Sequence, residues 1–369
     1  VATPGPELAE EVVPSSKQWP RAAPIATLLL LSPIITNVLF GSIRASFILA
    51  VLPAVSAWGL GSLIIREVVR RRRQGWAAIL LLGVALALAE ECVFLQTALL
   101  PLIGVDRDHV YGRAFGVNWP YLLWALGYES VWAVALPILF VEWMYPNRRE
   151  EPWLSGRGLA IACVIFMAAG VVRWYGWTQV FVPQNFPQWA HRPSPLTIVT
   201  ALAVIGLLLV SVFHSATPAE PKRLASGPVP RPWLVGLNAL LLGLTWFVLL
   251  FLAYGAAPEL PVAIPLLAGA GVAGAAGLVV NRYVRRPGWR RLHSLALAFG
   301  ALLASISAGY LVLKGAGASP FDFVAKALLN LIAILLLVRL GWNFARDPIG
   351  DRAAVGSPAP GLMNSGAIP

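Results

Sequence analysis

The sequence predicts an all-α protein, a polytopic transmembrane helical bundle of about ten spans with both termini cytoplasmic. Three observations carry this expectation. Of 369 residues, 58% are hydrophobic and only 12% charged, with a mean hydropathy of +0.73. A soluble domain is about 25% charged, so polar side chains here are too sparse to coat a water-facing surface. The apolar residues fall into continuous runs long enough to cross a bilayer as helices, and the alternating pattern of an outer-membrane barrel is absent. Finally, the basic residues cluster between those runs with a strong bias to one side.

The expected spans are 24–40, 46–65, 77–100, 119–143, 157–175, 195–214, 233–254, 261–280, 293–313 and 321–341. A polar cytoplasmic segment, 1–23, precedes them, and nothing in it reads as a cleavable signal. The first two spans are separated only by the residues around Gly41–Ala45, a tight helical hairpin. A Pro-rich cytoplasmic linker at 215–232 (SATPAEPKRLASGPVPRP) follows the sixth span. It divides the chain into a six-span half, 24–214, and a four-span half, 233–341. The tail, 342–369, is Gly/Pro-rich and expected to be flexible.

Charge tests this arrangement. The clusters Arg70–Arg73, Arg148–Arg149, Lys222–Arg223 and Arg282–Arg291 all fall on the cytoplasmic side, as do Lys17, Arg21, Arg66, Arg157, Arg231, Arg346 and Arg352. Twenty basic residues lie inside, against five in outer loops: Arg44, Arg107, Arg113, Arg192 and Lys314. Arg173, Lys326 and Arg339 lie within spans or at their ends. Adding or removing one span would put later clusters on the wrong side, so the bias supports a multi-pass protein of the plasma (inner) membrane. The net charge of +11 does not point to nucleic acid, because the aromatic interleaving of a nucleic-acid groove is missing.

The two cysteines, Cys92 and Cys163, both lie inside expected spans and read as small apolar packing residues rather than a disulfide or metal clip. The histidines His109, His191, His214 and His293 sit in outer loops or at cytoplasmic span ends. No H-E-x-x-H, G-x-S-x-G or phosphate loop occurs. No cofactor is indicated, and the identity of any metal is open. The outer loops Pro101–Trp119 and Trp177–Pro195 are rich in aromatic residues and proline, as interfacial anchors are. In the eighth span Gly269, Ala273 and Gly277 recur every four residues, a spacing that lets helices pack closely.

The chemistry concentrates in the third span. Glu90 and Glu91 interrupt the run AAILLLGVALALAEECVFLQTALL, and a carboxylate at bilayer depth costs roughly 2.5–3.5 kcal/mol on insertion scales. Glu90 lies ten residues from Leu100, and Glu129 ten residues from Trp119 at the outer start of the fourth span. At ~1.5 Å per residue both come out about 15 Å below the outer surface. Consecutive antiparallel helices usually neighbour one another, so Glu90 or Glu91 is expected to meet Glu129. Successive helical residues point about 100° apart, so only one of the pair can face that point. Clustered carboxyls hold a proton, bind a cation or act as an acid/base pair; otherwise they form a protonated structural cluster. The tenth span adds a polar stripe of Asp322, Lys326 and Asn330. Asp322 and Lys326 are expected to pair along their own helix with Lys326 snorkelling outward; if that face turns inward, Lys326 is a candidate partner for a glutamate.

The stretch REVVRRRRQGWAAILLLGVALALAEECVFLQ resembles the CPBP family, the CAAX-protease and bacteriocin-processing intramembrane peptidases. There a basic cytoplasmic turn leads into a helix bearing E-E-x-x-x-R, later helices carry F-x-x-x-H and H-x-x-x-N or H-x-x-x-D, and the glutamates activate water. Glu90 and Glu91 match the glutamate pair. The arginine position holds Leu95, with Gln96 beside it, and the second motif region reads W-A-L-G-Y-E-S, offering Tyr128 or Glu129 in place of histidine. The resemblance covers the second to fourth spans and implies an intramembrane peptidase, or a degenerate relative, acting on a membrane-protein or peptide substrate. Two alternatives use the same carboxyls: a proton- or cation-coupled transporter or channel, and a non-catalytic scaffold with partner subunits.

Overall fold

The computed structural model describes residues 20, 22–102, 109–190, 192–214 and 227–346. Most of the N-terminal segment, much of the linker and the tail from residue 347 lie outside the described residues, as do Lys17, Arg21, Arg107, His191, Lys222, Arg223 and Arg352.

Ten helices are long and apolar enough to cross a membrane: Ala22–Leu39, Ala45–Arg71, Trp76–Phe94, Trp119–Met144, Gly156–Asn185, Pro195–His214, Pro232–Ala253, Ala263–Val284, Arg291–Gly315 and Pro320–Arg346. The protein is thus an all-α polytopic bundle. The only strands among the described residues are the two-residue antiparallel partners Arg113–Ala114 and Val117–Asn118, just before the fourth span.

Most ends fall near their expected positions, with three corrections. The third helix stops at Phe94 rather than Leu100, because Gln96 adopts a left-handed backbone (φ 56°) and turns the chain. The second helix continues past 65 to Arg71, carrying Arg66 and Arg70 into the folded body. The fifth runs on to Asn185, so Arg173 is interior to a helix rather than near its end.

Burial ranks the helices. The third and fourth are the most enclosed, with 61% and 67% of their apolar windows buried, against 11% for the fifth, sixth and eighth. Around the central pair the two halves of the chain share one core. The seventh and ninth helices pack so closely that a Cβ on Gly300 would lie 2.0 Å from the Gly236 carbonyl oxygen. They also dock on the fourth, where Trp132 Nε1 donates to the Ala301 carbonyl at 2.9 Å and Trp246 Nε1 to that of Trp124 at 3.2 Å. Phe40, Trp124, Tyr128, Trp132 and Phe247 stack where these helices meet. In the eighth helix only Gly269 of the small-residue stripe serves packing, against Leu249 and Leu123; nothing lies in front of Gly277.

The first five helices each contain a π-helical turn: Ile34–Leu39, Val55–Gly59, Ala89–Phe94, Glu129–Ala135 and Tyr175–Phe181. Such turns free backbone carbonyls from the regular ladder, and they concentrate at functional sites. The Ala133 carbonyl in the fourth-span turn accepts from Ser32 Oγ at 2.6 Å and Ser62 Oγ at 2.8 Å, tying three helices together.

Candidate buried carboxyl site

The site forms where the third and fourth helices approach most closely. Gly83 is required there, since a Cβ at that position would sit 2.8 Å from Ser130 Cα. Glu90 and Glu91 lie inside the third-span π turn, and Glu129 opens that of the fourth. All three side chains are buried.

Glu91 and Glu129 are brought together, carboxyl against carboxyl. An ionised carboxylate is acceptor-only, so a hydrogen bond between the two requires a proton on one of them. The Thr97 and Tyr121 hydroxyls and the Ala98 backbone amide also face Glu91. The turn beyond Phe94 brings Thr97 and Ala98 back over the helix end, where Ala98 N–H donates to the Glu91 carbonyl at 3.2 Å.

Glu90 does not join the pair. Adjacent helical positions diverge, and its side chain turns to the fifth helix, where Arg173 Nη2 donates to Glu90 Oε1 at 2.5 Å. The same guanidinium donates from Nη1 to Ser56 Oγ of the second helix at 2.6 Å and lies 5.6 Å from the Phe94 ring centre. The acids thus split into a carboxyl pair, Glu91 with Glu129, and an ion pair, Glu90 with Arg173, on diverging sides of the third helix. Arg173 was missed because a helix ending at 175 would place it at the membrane interface.

The cluster is under-compensated. Three carboxyls share one guanidinium, and Glu90 Oε2, Glu91 Oε2, Glu129 Oε2 and Arg173 Nε have no hydrogen-bond partner. In a low-dielectric interior such an excess of negative charge is costly unless protons or cations make up the difference. Among the described residues, no group of three or more His, Cys, Asp or Glu is arranged to hold a metal ion.

The secondary candidates lie elsewhere. Tyr128 belongs to the aromatic stack, and its hydroxyl donates to the Thr36 carbonyl at 2.5 Å. Gln96 donates to the Val93 carbonyl at 3.2 Å and, with Phe94, Val171, Trp174 and Ile198, lines an open apolar groove. Lys326 neither snorkels outward nor meets a glutamate. It turns inward, donates to the Leu39 carbonyl at the end of the first helix, and lies 4.8 Å from the Tyr310 ring centre. A cation capping a helix C-terminus is favourably placed for the helix dipole. Asn330 shares this cap: with its amide turned to match its neighbours, it accepts from Lys326 Nζ at 3.1 Å and donates to the Leu39 carbonyl at 3.2 Å. Asp322 accepts instead from the Ser46 amide at 2.9 Å and the Ser319 hydroxyl at 2.7 Å.

A second charged cluster, also unforeseen, lies at the C-terminal ends of the second and fourth helices. Arg70 binds Glu142 through two bonds of 2.8 and 2.7 Å. Arg66, fully buried, donates to Glu67 at 3.1 Å and to the Glu151 and Arg149 carbonyls at 2.8 Å, with Trp153 stacked on its guanidinium. The cluster Arg70–Arg73 had suggested only a cytoplasmic loop, and nothing in the spacing marks Glu142 as its partner. Compared with known protein families, curated proteins and solved structures, the chain matches none.

Proposed function

We propose that this multi-pass membrane protein holds and passes a proton, or a small cation in its place, at the Glu91–Glu129 pair. It then works in the proton- or cation-coupled class of membrane transporters and channels, in the plasma membrane. One observation carries the reading: two carboxyls meet inside the bundle, each with an oxygen that no protein group satisfies, while the one nearby guanidinium is engaged by Glu90. Intramembrane acids that face the bundle interior serve as proton or ion relays far more readily than as fold determinants. The test is flux into liposomes carrying an internal pH dye under an imposed gradient. Glu91→Gln and Glu129→Gln abolish the flux while the protein remains folded. Wild-type vesicles indistinguishable from empty ones, for protons and for alkali cations alike, would overturn the reading.

A second reading, a CPBP-like intramembrane peptidase or a degenerate relative, has one observation in its favour. The arginine missing at Leu95 has a counterpart in space, because Arg173 of the fifth helix engages the first glutamate of the pair. Glu91 would then be the acid/base group on water. Here Glu91→Gln abolishes cleavage of a membrane peptide or protein substrate, and proton flux stays at background throughout. A scaffold function predicts neither activity and co-purification with a partner subunit.

A further inference from the structure

Resting on the carboxyl-pair reading, we propose that the pair exchanges its proton with the outer side through the hydroxyls of Thr97, Tyr121 and Tyr254. The geometry begins with Asn118, a fully buried residue at the outer start of the fourth helix. Its backbone N–H donates to the Ala98 carbonyl at 2.9 Å, its Oδ1 accepts from the Tyr121 amide at 3.0 Å, and its Nδ2 reaches the Ala253 carbonyl at 3.4 Å. One side chain and its own backbone thus tie together the turn after the third helix, the start of the fourth and the end of the seventh. That knot places Thr97, Tyr121 and Tyr254, contributed by three separate segments, above Glu91.

The contacts form a ladder. Glu91 meets both the Thr97 and Tyr121 hydroxyls, these two meet each other, and Tyr254 lies within electrostatic range of Glu91 and Tyr121. Exposure rises along it, from 4% at Glu91 to 9% at Tyr121 and 46% at Tyr254. In the other direction the Ser32 and Ser62 hydroxyls donate to the Ala133 carbonyl of the fourth-span turn, and Tyr128 stacks on Trp132. The other titratable or charged groups facing the acids are Tyr128, which lies within electrostatic range of Glu129, Cys92, and Glu90, the last held by Arg173.

The step balances without a co-reactant. The carboxylic O–H of the pair donates its proton to one hydroxyl oxygen, which releases its own proton to the next and finally to water. One proton leaves, the hydroxyls reorient unchanged, and the pair is left with one more negative charge. Asn118 is a positioning residue, holding the ladder together without carrying the proton.

The experiment is infrared spectroscopy of the full chain in lipid. The C=O stretch of a protonated carboxylic acid is distinct from carboxylate bands, and Glu91→Gln and Glu129→Gln identify the part that belongs to the pair. On transfer to D2O the band shifts at the rate of proton exchange. We expect Thr97→Val and Tyr121→Phe to slow that shift by roughly tenfold, as for a barrier raised by one lost hydrogen bond. Thr97→Ser should restore it, and Tyr254→Phe should slow it less. A pair-dependent band that exchanges equally fast in every variant would overturn the ladder and leave the carboxyl pair standing. No pair-dependent band at any pH would overturn the carboxyl-pair reading itself, and the ladder with it.

Discussion

At the C-terminal ends of the second and fourth helices, Glu67 and Glu142 have every oxygen taken. Glu142 receives Arg70 on both, and Glu67 receives Arg66 together with the Trp153 and Leu154 amides at 2.8 and 3.1 Å. Deeper in the same bundle, Glu90, Glu91 and Glu129 each leave an oxygen with no partner. The first cluster sets two carboxylates against four guanidiniums, those of Arg66, Arg70, Arg71 and Arg149; the deeper one sets three carboxyls against one. Burial is similar in both, so position alone does not explain the difference. A closed network fixes geometry, whereas an open one retains the capacity to take up something more. The first cluster reads as architecture and the second as a place where a charge is exchanged.

The largest expected effect lies in the closed cluster. Glu142→Ala strands the Arg70 guanidinium and should cost about 3–5 kcal/mol, seen as loss of folded protein or a lowered unfolding midpoint in detergent. Retained stability would mean this network is as open as the deeper one, and the contrast would fail. A smaller loss is expected from Arg173→Met, roughly 1–3 kcal/mol, because Glu90 can neutralise itself by binding a proton. Combining it with Glu90→Gln should recover most of that loss, a coupling that a double-mutant cycle measures directly. Smallest is Tyr128→Phe, which removes the bond to Thr36 and the hydroxyl's contact with Ser305 and should cost about 1 kcal/mol without altering proton flux. A change in flux would move Tyr128 from the packed stack into the site.

Particular residues show how far the sequence could be read. Ten apolar runs and their basic punctuation predict ten helices because hydropathy and sidedness are summed properties, insensitive to detail. The approach of the third and fourth spans at Glu129 follows from counting residues back from Trp119, where the helix does begin. The same count failed at Leu100: four of residues 95–100 are apolar, and hydropathy does not register a left-handed turn at Gln96. Arg173 and Lys326 were misread for a related reason. Each is a single cation in an apolar run, and whether it snorkels or turns inward is decided by the neighbouring helix, Glu90 for one and the Leu39 carbonyl for the other. The π-helical turns left no trace in composition at all.

Those turns carry a consequence for how the chain tolerates change. A π turn holds one residue more than an α turn, so the helix beyond it is offset by a single position. Removing one residue from an ordinary membrane helix rotates everything downstream by roughly 100° and scrambles its contacts. Taken from Glu129–Ala135, the same deletion would let the widened turn relax into a regular one and return the rest of the helix to its place. The membrane body would survive the excision, and the meeting of the two acids would not.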